Sequence, residues 1–205
     1  MSQGFVNPQT ITLPVPVADG GTGRTSATAY GVLCGGTTST GAHQSIASVG
    51  TSGQLLTSNG ASALPTFQSI ITDWVAYTPT FTGFGTVSSV EMWSRRVGDT
   101  LYIRGRFTSG TPTAVEAQMT LGYNGTNSNV TSSSTKITSI QLAGMIVYAA
   151  AGSLSNTLIE SNKGYITFGY QTNAVAGLTK QTGSGISGTG AIFSIMAEVP
   201  IASFP

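Results

Sequence analysis

The sequence predicts an all-β protein with an extended N-terminal arm, an intertwined trimeric shaft and a C-terminal antiparallel β-sandwich, here called the head. Three observations predict this fold: short runs of alternating apolar and polar residues after residue 72, a charge-free region before that point, and no amphipathic helix pattern. We place the arm at residues 1–24, the shaft at residues 25–72 and the head at residues 73–205.

The composition argues against a disordered chain and against a nucleic-acid-binding protein. Only 7% of the 205 residues are charged, whereas about 25% is usual in soluble domains. Because 40% of the residues are apolar, the chain has enough hydrophobic surface to fold. Its 8 basic and 7 acidic residues give a net charge of +1. Since the longest basic run is Arg95-Arg96, we expect no binding to nucleic acid.

The arm contains the proline-rich run TITLPVPV at Thr10–Val17. Proline fixes φ at about −65° and has no amide hydrogen, so Pro14 and Pro16 favour an extended conformation over a helix. The glycines of DGGTG, at Asp19–Gly23, then interrupt the pattern. We therefore expect an extended segment that ends in a flexible joint, a form suited to insertion into the surface of another protein.

The shaft has no Asp, Glu, Lys or Arg and consists mainly of two near-repeats, Gly31–Ile46 and Gly53–Ile70. Both begin with Gly-x-Leu and end with Gln-Ser-Ile. One chain carries too few large apolar residues here to bury a core, so we expect three copies to bury them around a shared axis. The residues assigned to that axis are Val32, Leu33, Leu55, Leu56, Leu64 and Ile70. The alternative is a flexible Gly/Ser/Thr linker.

Alternation identifies the strands of the head. DTLYIRGRF, at Asp99–Phe107, places Leu101, Ile103 and Phe107 on one face. VSSVEMWSRR precedes it across Val97-Gly98-Asp99, which predicts a hairpin. Short strands at this spacing indicate an antiparallel sandwich. Further predicted strands cover residues 114–121, 140–149, 155–160, 164–171 and 191–201.

The chain offers few groups for catalysis or metal binding. Cys34 and His43 are its only cysteine and histidine, and we predict a buried apolar role for Cys34 and a shaft position for His43. The alternative for His43 is a ring of three around the trimer axis that binds a metal or an anion. Glu91 and Glu116 occupy polar strand positions, which are typical of solvated charge rather than of a glycosidase pair. We therefore predict no enzyme activity, no cofactor and no metal site.

Aromatic residues of the head have two interpretations. They supply flat faces for sugar stacking or anchors for a protein receptor, or they pack in cores and interfaces. Packing is the more common role. The residues concerned are Trp93, Tyr102, Tyr123, Tyr148 and Tyr170.

Several segments resemble tail-fibre proteins of tailed bacteriophages. GGTGRTSATAYGVLCGGTTSTG and GTSGQLLTSNGASALPTFQ resemble segments found widely in their shafts. WVAYTPTFTGFGTVSSVEMWSRRVGDTLYIRGRFTSG, at Trp74–Gly110, resembles the start of a domain that ends many such fibres. FSIMAEVPIASF, at Phe193–Phe204, is similar to the last strand of that domain. The resemblance covers most of the chain after residue 20.

This resemblance implies a homotrimeric virion fibre with a jelly-roll-like head, made in the host cytoplasm. The N-terminus would attach to other virion proteins of the tail or capsid, and the head would bind a host surface glycan or an outer-membrane protein. The apolar arm residues assigned to virion attachment are Phe5, Val6, Ile11, Leu13 and Val15.

We assign receptor binding to two polar loops of the head, since recognition usually lies in loops on a rigid scaffold. One is Gly122–Asn129 and the other is Lys180–Gly190. The receptor-binding residues in the first loop are Tyr123, Asn124, Asn127 and Asn129.

Two alternatives to a tail fibre stay open. One is a capsid head fibre or decoration protein, built in the same way but attached mainly to the shell. The other is a glycan-cleaving spike, which the small size of the chain and its sparse carboxylates disfavour.

Overall fold

The chain folds into two compact β units, one ending at Ile70 and the other covering Ile71–Pro205. The structure is a computed structural model that describes residues 14–148, 153–171 and 177–205. Within those residues the only helical segments are a 3-10 turn and a four-residue helical turn. The prediction of an all-β protein is therefore confirmed.

The first unit contains one short antiparallel hairpin in each near-repeat. In the first repeat β1 (Leu33–Cys34) pairs with β2 (Gln44–Ser45). In the second repeat β3 (Leu55–Thr57) pairs with β4 (Thr66–Gln68). The opening Gly-x-Leu thus supplies the leucine of the first strand, and the closing Gln-Ser-Ile supplies the glutamine of the second. Each repeat is a hairpin unit, a form that the sequence pattern alone does not predict.

A single copy of the first unit buries almost none of its apolar side chains. Among described residues 14–70 only Ile46 is buried. Leu55 is 53% exposed and Leu33 is 45% exposed. Val32, Leu56 and Ile70 are also exposed, and Leu64 is half-buried. One copy therefore has no hydrophobic core within residues 14–70.

The chain turns back on itself over residues 15–23. Pro16 is extended, with a φ of −59° and a ψ of 154°, but Val17–Asp19 is a 3-10 turn, so the turn begins two residues before the break predicted at Asp19–Gly23. The amide of Gly23 donates to the carbonyl oxygen of Val15 at 2.9 Å, and a Cβ at Gly21 would collide with that oxygen. The extended conformation predicted for Val17 is therefore wrong, because glycine at the following positions allows this close approach of the backbone.

The second unit is built around one ten-stranded antiparallel sheet with a small separate hairpin. Its strands are β5 (Val75–Ala76), β6 (Phe81–Thr82), β7 (Ser88–Val97), β8 (Thr100–Thr108), β9 (Gln118–Thr120), β10 (Gly122–Tyr123), β11 (Thr126–Asn127), β12 (Gln141–Tyr148), β13 (Ser153–Ile159), β14 (Tyr165–Gln171), β15 (Leu178–Lys180) and β16 (Ile192–Pro200). The sheet order is β5-β7-β8-β16-β12-β13-β14-β9-β6, with β15 also paired to β14. The separate hairpin is β10–β11, and the helical turn α1 covers Gly183–Ile186.

The longest hairpin confirms the predicted alternation. β7 and β8 pair along most of their length and are joined at Gly98-Asp99, where Gly98 has a φ of 62°. Leu101, Ile103 and Phe107 are buried, as predicted, whereas Arg104 and Arg106 are exposed. The period of two thus separates a core face from an outer face along β8.

The sheet curls around a cluster of phenylalanines centred on Phe84. Phe84 is fully buried and lies in the loop that connects β6 to β7. Its ring centroid lies 5.1 Å from that of Phe107 on β8, 5.4 Å from Phe168 on β14 and 5.8 Å from Phe193 on β16. Because β16, β12 and β13 lie between β8 and β14 in the sheet, both strands reach one ring only if the sheet curls. The core of the unit lies inside that curl.

The strand predicted at residues 114–121 is shorter in the structure. β9 covers Gln118–Thr120, and Glu116 forms only a single bridge, to Thr182. The cause is a change of partner along β14, which pairs with β9 over residues 165–167 and with β15 over residues 169–171. The residues before β9 therefore lie beside the segment after β15, where Glu116 pairs with Thr182, and do not continue the sheet.

Candidate functional site

The first predicted receptor loop is the small β10–β11 hairpin. Its turn is Asn124-Gly125, with φ values of 53° and 80°. Positive φ at both central residues is the signature of the type I′ turn, for which Asn-Gly is the preferred pair. Asn124 is exposed at the tip, and Tyr123 is half-buried. The sequence of the turn therefore fixes which asparagine points outward.

Two of the predicted receptor residues hold this hairpin in place. The Asn127 side-chain amide donates to the Thr80 hydroxyl at 3.0 Å, and its oxygen accepts from the Thr120 hydroxyl at 2.6 Å. The Asn129 side-chain amide donates to the carbonyl oxygen of Tyr123 at 2.9 Å, and its oxygen accepts from the amide of Tyr123 at 2.8 Å. Both side chains are half-buried. Receptor contact by these residues stays a prediction, whereas their bonds position the loop.

The ring of Tyr123 packs against the C-terminal end of the unit. Its centroid lies 4.8 Å from that of Phe204 in an edge-on arrangement. The Arg96 guanidinium lies 4.9 Å from the centroid of Phe204. Of the four predicted receptor residues, Asn124 alone is exposed, and the other three contribute to the structure of the loop.

A shallow groove of about 450 Å³, here called the hairpin groove, lies beside this loop. Ala76 of β5 and Glu91 and Trp93 of β7 line one side, and Gly125 and Asn127 of the β10–β11 hairpin contribute from the other. The groove therefore brings an aromatic candidate for sugar stacking next to the predicted receptor loop. An aromatic face beside a few fixed polar groups is the usual composition of a small-ligand site.

A second groove of about 420 Å³, here called the α1 groove, lies on the same unit. Tyr148, Leu154 and Tyr170 line it together with Ser184–Gly188. This brings two of the predicted aromatic candidates to the second predicted loop. That loop is more ordered than its Gly/Ser-rich sequence indicates, because its first residue ends β15 and the Thr182 hydroxyl accepts from the amide of Gly185 at 3.2 Å to cap α1.

The acidic residue of the hairpin groove is already neutralised. Both carboxylate oxygens of Glu91 accept from the Arg106 guanidinium, each at 2.9 Å. The hydrogen bond from Arg106 is the main cause that lowers the pKa of Glu91, and the same bond raises the pKa of Arg106. Both groups are exposed, so the pair stays ionised at neutral pH without making the groove strongly charged.

Glu116, the other carboxylate considered as part of a glycosidase pair, has a different partner from Glu91. The Glu116 carboxylate lies 2.9 Å from the Lys180 ammonium and accepts from the Gln118 side-chain amide at 2.8 Å. Partial burial opposes ionisation of Glu116, but these hydrogen bonds outweigh it, so its pKa is lowered. Glu91 and Glu116 thus each form an ion pair with their own cation.

The remaining predicted residues lie in the first unit or outside the described residues. Cys34 is half-buried rather than buried and lies on the two-residue strand β1. His43 is half-buried, and its amide donates to the carbonyl oxygen of Thr22 at 2.9 Å. Val15 lies in the turn at residues 15–23. The arm residues outside the described ranges are Phe5, Val6, Ile11 and Leu13.

Metal and membrane features are absent from the part of the chain that the structure describes. Residues 14–148, 153–171 and 177–205 contain no group of three or more His, Cys, Asp or Glu side chains arranged to hold a metal ion. No helix in these ranges is long and apolar enough to cross a membrane. Comparisons of the chain with protein-family models, with curated proteins and with solved structures give no match.

Proposed function

We propose that this chain is a homotrimeric fibre protein of a tailed bacteriophage, which attaches to the particle through its N-terminal arm and binds the host cell surface through its head. Its proposed role is structural and adhesive: it is a component of the virion and catalyses no reaction. The resemblance of the shaft and head segments to tail fibres first indicates this role.

The observation that carries the proposal is the exposure of the apolar residues in the charge-free repeats. Leu33 of β1 and Leu55 of β3 are about half exposed in a single copy, and only Ile46 is buried in described residues 14–70. Association of copies around an axis buries the apolar side chains of successive hairpins, which stabilises the assembly. Because the repeats carry no charged residues, the same residue from different copies does not bring like charges together at the axis. This supports an intertwined trimeric shaft over a flexible linker.

The outer face of the head supports the same assembly. Met196 of β16 pairs with Met145 of β12, and the two are 51% and 42% exposed. Ile192 of β16 is exposed on the same sheet. A group of large apolar side chains of this kind is typical of a subunit contact. The curled antiparallel sheet is also consistent with a jelly-roll-like β-sandwich.

The two grooves of the head support a role in recognition. Each combines aromatic side chains with one of the two polar loops assigned to receptor binding, and both lie on a rigid sheet. Three copies around one axis would multiply weak contacts into firm attachment by avidity. We therefore assign host recognition to the hairpin groove and the α1 groove.

A cell-binding assay tests the proposed function. Fluorescently labelled full-length protein is incubated with a panel of bacterial strains. The strains that bind the protein are then challenged with a phage that carries this fibre. We expect strong binding to some strains, and we expect an excess of free protein to block adsorption of the phage to those strains.

The test variant is N124G, which removes the one exposed predicted receptor side chain from the hairpin tip. We expect it to bind cells more weakly with a nearly unchanged melting temperature, since glycine accepts the positive φ of this turn and the Asn124 side chain has no hydrogen bond to maintain among the described residues. Binding to no strain that the phage infects would overturn the receptor role and favour a capsid decoration protein. Release of reducing sugar from bound cells would favour the glycan-cleaving spike.

A further inference from the structure

Two arginines on the outer face of the head have no acidic partner among the described residues. Arg95 of β7 and Arg104 of β8 make no ion pair within 4.0 Å and no side-chain hydrogen bond there, although the other cations of this hairpin have partners. The Nε of Arg95 is buried without an acceptor. A buried donor on a charged group is costly unless something accepts its hydrogen.

Both guanidinium groups lie on one tryptophan. The central carbon of Arg104 is 4.3 Å from the ring centroid of Trp74, and that of Arg95 is 4.8 Å from the same centroid. Arg95 also lies 5.7 Å from the ring centroid of Tyr102. An aromatic ring attracts a guanidinium without accepting from its N–H donors. Trp74 therefore holds two cations whose donors are available to an anion.

The register of the sheet places further aromatic surface around this pair. Trp93 of β7 is directly opposite Arg104, and Tyr102 of β8 is directly opposite Arg95. Trp74 immediately precedes β5, whose Ala76 pairs with Trp93. Trp93 also lines the hairpin groove. The two arginines are therefore adjacent to the groove that we assign to recognition.

The neighbouring carboxylates form no ion pair with these two arginines among the described residues. Glu198 of β16 is opposite Tyr102, and Asp73 precedes Trp74, but neither forms an ion pair within 4.0 Å among the described residues. By contrast, Arg106 lies two residues beyond Arg104 on the same face and donates from two of its nitrogens to Glu91. Arg95 and Arg104 thus differ from Arg106 in having no carboxylate bound among the described residues.

We propose that Trp74, Arg95 and Arg104 form a binding site for the acidic group of an anionic surface glycan. The guanidinium forks match the two oxygens of a carboxylate or the oxygens of a phosphate, and the sugar ring that carries the acid lies against Trp93. The proposal rests on the proposed function in that the glycan would be the host receptor. It adds the chemical class of the ligand and the side chains that recognise it.

Tryptophan fluorescence of the full-length protein tests this site directly, because Trp74 and Trp93 are the only two tryptophans in the chain. The protein is titrated with a glucuronic acid oligosaccharide, with a phosphorylated mannose oligosaccharide and with a neutral glucose oligosaccharide of equal length. We expect a saturable change with one or both acidic sugars and none with the neutral one. The acidic sugar that gives the response shows whether the site binds a carboxylate or a phosphate. Added salt should weaken the response.

The variant R104Q removes one exposed guanidinium, and K163Q is its matched control, since Lys163 carries the same charge and lies against a different ring, that of Tyr165. We expect R104Q to weaken binding of the acidic sugar by about tenfold or more, as loss of a charge-assisted hydrogen bond does. K163Q should change it by less than about threefold. Equal responses to acidic and neutral sugars, or equal affinities of R104Q and K163Q, would overturn the site.

Two further readouts separate this site from the other proposals. If labelled protein binds cells and R104Q binds them equally well, the receptor role stands and the anion site is wrong. If the acidic sugar binds but no cells do, the site stands and the receptor role is wrong. If R104Q changes the mass of the assembly in light scattering, the arginines belong to a contact between copies and the ligand site is overturned.

Discussion

At the scale of single residues, Phe84 joins several strands of the head. It reaches the core from a loop, and its ring meets phenylalanines on β8, β14 and β16 edge-on. Such contacts add a specific aromatic interaction to the burial of apolar surface. The strands β8 and β14 are not paired with each other in the sheet. The ring of Phe84 therefore joins two parts of the sheet that are distant along its strand order.

Replacing this ring should therefore destabilise the whole unit. We expect F84A to lower the free energy of unfolding by about 3–5 kcal/mol, the range for aromatic residues removed from a core. Urea denaturation followed by tryptophan fluorescence measures this in the second unit, where both tryptophans lie. The control Y30A removes a fully exposed ring and should change stability by less than about 0.5 kcal/mol. Similar losses for the two variants would contradict the central role of Phe84.

Individual residues also show where sequence reasoning succeeds and where it stops. Alternation correctly assigns Leu101 and Phe107 to the core, since a period of two needs only local information. It cannot show that Asn127 bonds to Thr80, because that contact depends on how distant segments meet. Trp74 escapes notice for the same reason, since its arginine partners come from two other strands.

At the scale of elements, Lys180 joins three segments of the head. It ends β15, and its ammonium lies 2.9 Å from the carboxylate of Glu116 before β9 and 3.1 Å from that of Glu160 after β13. The hydrogen bond that Lys180 donates to Glu116 is the main cause that raises the pKa of Lys180. The same contacts lower the pKa of Glu116, against partial burial that acts the other way. The cluster thus stabilises contacts that sheet pairing alone does not provide.

This cluster predicts a pH dependence with a definite sign. A carboxyl group with a lowered folded pKa stabilises the fold above its unfolded value of about 4.3, and the contribution is lost as pH falls through the folded value. K180Q should therefore be less stable than the wild type at pH 7, by less than about 1 kcal/mol because the groups are partly exposed. The difference should shrink at a more acidic pH, as the pH falls through the lowered folded pKa of Glu116 and its carboxyl becomes protonated.

Urea denaturation at the two pH values measures this difference. K136Q is the control, since Lys136 pairs with Asp99 in a more exposed ion pair and its loss should matter less. A K180Q difference that stays constant or grows in acid would show that Lys180 acts through packing. At high pH the raised pKa of Lys180 has the opposite consequence, and its contribution should be lost only above the usual titration range of lysine.

The elements of the first unit were only partly predictable. The repeated Gly-x-Leu and Gln-Ser-Ile identify two equivalent segments, but only the structure shows that each closes into a hairpin. Short strands of two or three residues carry too little alternation to be recognised. In the arm, the prolines favoured an extended chain, and hydrogen bonds from Gly21 and Gly23 closed a turn instead.

At the scale of the whole molecule, the central claim is that the chain is stable only as a trimer. In the trimer that we propose, other copies of the chain cover the exposed apolar residues of both units. Leu55 tests the proposed axis. L55D would place three carboxylates close together in a region without any cation, and burying unpaired charge is very costly. L55M keeps an apolar side chain of similar volume and serves as the control.

Light scattering of the purified full-length protein at micromolar concentration tests this claim most directly. The account predicts a single species with three times the 20.9 kDa mass of one chain for the wild type and for L55M. It predicts that L55D fails to form this species and is recovered as single chains or as aggregate. A stable wild-type monomer of 20.9 kDa at that concentration would contradict the account.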